Sequence, residues 1–228
     1  MSTEKFSIEE ALGFGWRTMT GRFGTLMLYL FLPGAALFLV HIGLSAVAGG
    51  ASEFGKMPLW YYLVQFILWI VQLYVILGML RVAVRLVDGQ EPAWSDFKSQ
   101  PGTIFNYIGA SILFGLAVGI GTVILIVPGI IVYIVFHFFN FLIADKNLGG
   151  ITALGKSAEI TRGARWKLFL FGLLATVINI AGVLCLLVGA IPAGLVTFVA
   201  VAHIYRQLMK SSEQAVAPPA EPPPAPAV

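Results

Sequence analysis

The sequence predicts an all-α integral membrane bundle of six transmembrane helices, built as three hairpin repeats with short interfacial amphipathic helices. Four long stretches, Phe23 to Ser52, Met57 to Leu80, Thr103 to Ala144 and Leu168 to Tyr205, contain no Asp, Glu, Lys or Arg. The chain is 58% hydrophobic and 11% charged over 228 residues, too little polar surface to clothe a water-soluble core. Its cations are also one-sided, 13 of the 14 Lys and Arg residues falling on segments that six spans place on one face.

A helix needs roughly 20 apolar residues to cross the ~30 Å hydrocarbon layer. The stretches of 30 and 24 residues therefore cross once each, and those of 42 and 38 residues cross twice each. One membrane domain, residues 1–210, accounts for all of this, with spans at about 23–48, 58–80, 103–127, 128–144, 167–188 and 190–209. The first apolar run is too long for a cleavable secretory signal and lacks a small-residue cleavage pattern shortly after it.

Before the first span, Ser7-Ile8-Glu9-Glu10 has the spacing of a capping box, which predicts an amphipathic helix over 7–20. Ile8, Ala11, Leu12, Gly15, Met19 and Phe23 recur at three- and four-residue intervals, so that one face is expected to lie on the headgroup boundary. Within the first span Pro33, followed by Gly34, interrupts the backbone ladder and predicts a kink. Interrupted helices line binding sites in some transporters, whereas isolated proline kinks are commonly structural. Pro58, Pro128 and Pro192 fall where the second, fourth and sixth spans begin, first-turn positions at which the missing N–H costs nothing.

In the middle unit, Pro92, Trp94 and Phe97 form a brief amphipathic turn ahead of Pro101-Gly102. The third unit opens with Ala153-Leu154-Gly155, then Gly163 and Leu168, matching Ala11-Leu12-Gly13, Gly21 and Leu26 in order and spacing. Gly115 and Gly119 on the third span, and Ala181, Cys185 and Gly189 near the fifth, have small-xxx-small spacing and predict close helix contacts, within the chain or across a homo-oligomer. From Ser211 the sequence turns to Pro, Ala and Glu, so residues 211–228 are expected to be a disordered cytoplasmic tail.

Lys5, Arg17 and Arg22 precede span one. Arg81, Arg85 and Lys98 follow span two, Lys146, Lys156, Arg162, Arg165 and Lys167 follow span four, and Arg206 and Lys210 follow span six. Only Lys56 lies on the other side, so both termini are expected in the cytoplasm. These cations are interspersed with acids and adjoin spans, which points to membrane anchoring and not to nucleic acid. Arg162, Arg165, Trp166 and Lys167 meet the fifth span at the boundary, where cations and an indole suit lipid headgroups or plain anchoring.

No acid lies within a span, which argues against proton or sodium coupling. Tyr133, His137 and Asn140 share a helical face and predict an intramembrane polar cluster, either a functional one or a hydrogen-bonded clamp between helices. His41, His137 and His203 lie in different hairpins without metal-ligand spacing, and Ser45 and Ser111 lack the surroundings of a nucleophile. The single cysteine, Cys185, allows no disulfide within the chain. No catalytic, metal or cofactor site is predicted.

Leu77-Gly78-Met79-Leu80-Arg81, Val127-Pro128-Gly129-Ile130-Ile131, Ala144-Asp145-Lys146 and Ala153-Leu154-Gly155-Lys156-Ser157, running on to Gly163 and Trp166-Lys167-Leu168-Phe169, make a recognisable pattern. It resembles six-span bacterial membrane proteins of YciC type and the similar membrane module joined to some glycerophosphoryl diester phosphodiesterases. The resemblance covers most of residues 7–210 and implies a bundle in the bacterial inner membrane. Its motifs are glycine, proline and apolar signatures, and the chain has no soluble phosphodiesterase domain, so that activity does not carry over. The leading expectation is a non-enzymatic module that organises membrane lipids or a partner protein. A small-solute channel or facilitator lined by Pro33-Gly34, His137 and Asn140 is the alternative, and an intramembrane enzyme comes third.

Overall fold

Apolar length decides the elements. The computed structural model describes residues 5–47, 58–185 and 189–216, which form helices and short connections with no strand among them. In chain order we label them α1 (Ile8–Gly21), α2 (Phe23–Val47), α3 (Leu59–Val87), α4 (Pro101–Ile124), α5 (Ile126–Lys146), α6 (Gly150–Ile160), α7 (Arg165–Leu184) and α8 (Ala190–Val216). A 3-10 turn, Trp94–Phe97, stands between α3 and α4. Among the described residues six helices, all but α1 and α6, are long and apolar enough to cross a bilayer.

Several boundaries move. α3 runs on to Val87, beyond the expected end at residue 80, and stops where Gly89 takes a φ of +74°. α8 continues to Val216, so the first six residues of the expected tail are helical. Ser211 Oγ donates to the Lys5 carbonyl, which holds this end against the N-terminal segment, and Ser212 Oγ donates to the Met209 carbonyl of its own helix. The remaining tail, the loop carrying Lys56 and residues 186–188 lie outside the described residues.

Ser7 caps α1, its Oγ accepting from Glu10 N at 3.4 Å. The Glu10 carboxylate turns away from the expected reciprocal bond and stands 3.6 Å from His203 Nε2 on α8. A π-helical turn runs over Met27–Phe31, one residue short of Pro33, with Leu32 N bonded to the Met27 carbonyl. A proline ring strikes the carbonyl four residues back, here that of Tyr29, and a widened turn makes room for it.

Burial separates an inner layer from an outer one. Half of the most apolar window of α8 is buried, 39% of that of α5 and 22% of that of α3, against 11% for each of α2, α4 and α7. Tyr205 of α8 is fully buried, with ring centroids 6.3 Å from Phe138 and 5.3 Å from Phe141 of α5. α2 joins the core through Leu26 and Leu30, while no residue of its Leu32–Val47 part is buried.

Glycines set the closest approaches. A Cβ on Gly121 would come 3.1 Å from the Gly129 backbone, which brings α4 and α5 together beside their shared turn. A Cβ on Gly182 would meet the Gly189 carbonyl oxygen at 2.6 Å and the Ala193 Cβ at 2.8 Å, so α7 and α8 are pinned in the same way. Gly189 of the expected small-residue series takes part in this contact. Gly115 and Gly119 have nothing within 4 Å, and their strip of α4 stays open.

The amphipathic helices do not spend their small-residue faces on the headgroup layer as expected. Ala11, Gly15 and Met19 of α1 are buried, and α1 packs on α8; Ala153, Ser157 and Ile160 of α6 are buried, and α6 packs on α4 and α5. Small side chains let backbones meet, and that favours a protein neighbour over lipid. A Cβ on Gly15 would lie 2.5 Å from the Val196 carbonyl oxygen, and one on Gly150 would lie 2.7 Å from that of Asn106. The 3-10 turn sets Phe97 against Gly78 of α3.

Gly15→Leu is therefore expected to lower stability by about 1–3 kcal/mol through overpacking, whereas Gly13→Leu, with nothing within 4 Å of its Cβ, stays within ~0.5 kcal/mol. Unfolding of the two variants in the same detergent checks the difference.

Candidate functional site

The site begins where α5 breaks. Its first part runs over Ile126–Phe136, His137 and Phe138 form a turn, and Phe139–Lys146 resumes the helix. At this break the Val135 carbonyl accepts from Ser157 Oγ at 2.9 Å and from Thr161 Oγ1 at 3.3 Å. Both hydroxyl residues, on α6 and the turn after it, are fully buried. Irregular backbone in a membrane protein needs such internal partners.

Beside the break a cavity of about 700 Å³ opens between α3, α5, α7 and α8. Ile76 and Leu80 of α3, Phe138 and Phe141 of α5, Leu168 and Phe171 of α7, and Phe198 of α8 make its walls mainly apolar. Tyr133, His137 and Asn140 line it, joined by Thr176 and Thr197. The rings of Tyr133 and His137 are 5.0 Å apart between centroids. The Asn140 Oδ1 is buried and has no hydrogen-bond partner. The three residues predicted as a cluster thus border one cavity, without forming a clamp through Asn140 Oδ1.

A hydrogen-bonded clamp stands elsewhere. Asn179 Nδ2 of α7 donates to Thr197 Oγ1 of α8 at 3.1 Å and to its own Ala175 carbonyl at 2.7 Å. Asn179 and Thr197 stand in different spans, and nothing in their spacing in the sequence marks them as partners. A furrow lined by Ala175, Thr176 and Asn179 continues along α7 from the cavity. His41 is apart from all of this, its Nδ1 2.9 Å from the Leu37 carbonyl of its own helix.

At the charged end, cations that sequence alone treats as anchors bind the chain itself. Arg206 of α8 donates to Asp88 at 2.9 and 2.5 Å and to Asp145 at 2.8 and 3.2 Å. Tyr205 OH donates to Asp145 Oδ2 at 2.9 Å. Arg81 donates to the carbonyls of Ala144, Asp96 and Lys98 and to Ser99 Oγ, and Arg85 pairs with the buried Asp96 at 3.0 Å.

Of the predicted headgroup residues, Arg165, Trp166 and Lys167 lie in the first turn of α7 and Arg162 on the α6–α7 turn. Gly163, at φ +81°, lets the chain reverse there, and Lys5 Nζ donates to the Arg162 carbonyl at 2.6 Å. Trp166 is 70% exposed and stacks on Phe169 at 5.4 Å. Arg165 opens α7, one turn before Leu168 and Phe169 of the cavity wall.

Arg206→Met would leave the Asp145 carboxylate, only 14% exposed, without its cation. The expected loss is about 3 kcal/mol. Lys156→Met, which breaks the exposed pair with Glu159, should cost under ~0.5 kcal/mol. Unfolding midpoints in mixed micelles compare the two. Asn179→Leu should cost ~1 kcal/mol by leaving Thr197 without its interhelical donor, while Asn140→Leu, which removes an unpaired buried oxygen, should be neutral or stabilising. Thermal unfolding of both variants checks the sign.

No curated protein and no solved structure matches the chain. A family model, described as a domain of unknown function, matches residues 60–225, from the start of α3 past the end of α8. A match over that much of the sequence places the chain in the DUF7847 family.

Proposed function

We propose a non-enzymatic, lipid-organising module of the bacterial inner membrane, with both termini in the cytoplasm. The observation that carries this reading is the cavity among the spans. At about 700 Å³ it has the size of a small-ligand site. A hydrated solute would shed its water against Phe, Leu and Ile walls with few groups to replace it, while a lipid tail gives up nothing there. The orientation rests on the cations, 13 of 14 of which lie on the segments of one side.

The three-hairpin repeat belongs to the same proposal. The docking order supports it: α1 lies on α8, the 3-10 turn on α3, and α6 on α5, so each small helix sits on the second span of the preceding hairpin in cyclic order. Kinship to the YciC-type proteins and to the phosphodiesterase-linked membrane module rests on the motifs quoted above. The open strip at Gly115 and Gly119 offers a packing face for a partner protein or a second copy. A small-solute facilitator is the second reading, favoured by Thr176, Asn179 and Thr197 leading away from the cavity.

Extraction in a lipid-preserving polymer, with mass spectrometry against an unrelated six-span control, tests the lipid reading. The wild type is expected to enrich one lipid class. Gly172→Phe, which places a ring in the cavity from a position with nothing within 4 Å, should abolish that enrichment and leave the fold intact. Equal lipid content in wild type and control, with solute flux in liposomes, would replace this reading with the facilitator.

A further inference from the structure

We infer that the cavity receives the acyl tail of an anionic phospholipid whose headgroup binds Arg165. This rests on the reading of the cavity as a lipid site and adds which lipid it takes and which residue selects it.

Helical phase supplies the first argument. Residues 165, 168, 169, 172, 173 and 176 recur at intervals of three and four, which puts them on one face of α7. All of them after Arg165 line the cavity. Arg165 therefore stands at the charged end of the wall, and a ligand along that wall meets a guanidinium first and apolar surface next.

Occupancy supplies the second. Arg81, Arg85 and Arg206 are engaged by carbonyls or carboxylates of the chain and cannot take a phosphate without leaving those groups unpaired. Among the described residues no hydrogen bond or ion pair engages the Arg165 side chain, and the residue is exposed. A guanidinium meets phosphate oxygens bidentately, and the neighbouring exposed Trp166 suits the headgroup layer.

The acids decide between headgroups. Asp88, Asp96, Asp145 and Glu159 are each paired with a cation of the chain. The three aspartates are held by arginines and do not turn to the ammonium of a choline or ethanolamine head, so a phosphate with no cationic group beside it fits this corner better. A free phosphate would use the guanidinium alone and gain nothing from the apolar wall one turn away.

The test uses full-length protein in phosphatidylcholine vesicles doped with phosphatidylglycerol or phosphatidylcholine probes bearing the same photoreactive acyl chain. The phosphatidylglycerol probe is expected to label the α5 and α7 peptides that line the cavity about five-fold more than the phosphatidylcholine probe, the effect of one well-placed cation at a membrane surface. Arg165→Gln should erase that preference, Arg22→Gln should preserve it, and inorganic phosphate at millimolar concentration should not compete. Equal labelling by both probes, unchanged in Arg165→Gln, would overturn the inference while keeping the lipid site. Competition by inorganic phosphate would make Arg165 a soluble-anion site and overturn it as well. No labelling of these peptides by either probe would overturn both the inference and the lipid reading beneath it.

Discussion

Arg206 ties the bundle. One guanidinium joins the carboxylates of Asp88 and Asp145, and so fixes the charged ends of α3, α5 and α8 to a common point. An arginine can do this because its planar fork offers several donors at fixed angles, which a lysine cannot. With 17% of its side chain exposed, the tie is sheltered enough to matter, and losing one partner would strand a charge. The aromatic packing of Tyr205 between Phe138 and Phe141 follows from the same convergence.

α7 stands outside that tie, and the cavity lies between it and the three helices that the tie joins. It is held to α8 toward its far end by the Gly182–Gly189 approach and by the bond from Asn179 to Thr197, and nearer its start by the buried Leu168 and Phe171. Between those attachments Gly172 contributes no side chain, and α5 has its break. The break is stabilised from behind by Ser157 and Thr161, so the front of α5 can present His137 and Asn140 to the opening. The polar groups of the spans are thus shared unequally: Asn179 Nδ2 has two partners within the protein, whereas Asn140 keeps an unpaired oxygen beside the cavity.

The sequence discloses spans well because bilayer thickness imposes length and hydropathy directly, and the six apolar helices follow those rules. The Ser7 cap is local, and local chemistry is readable. Partner choice is not. The interval pattern of α1 marks a face but cannot say whether lipid or α8 covers it, and the fit of Gly15 over the Val196 carbonyl depends on a residue far along the chain. The Arg206 tie spans sequence separations of 118 and 61, so its three members look like ordinary boundary charges until the helices are assembled. Of the candidate site, Tyr133, His137 and Asn140 were legible as one face, but the cavity they border needed the walls from α3, α7 and α8.

The docking of α1 on α8 also imposes an order in time. Synthesis makes α1 well before α8, so the small-residue face of Ala11 and Gly15 lacks its α8 cover until that span arrives. Until then that face is left to the membrane surface or to a chaperone. A chain that stops short of α8 carries this face uncovered, a physical difference from the chain in which α8 has docked.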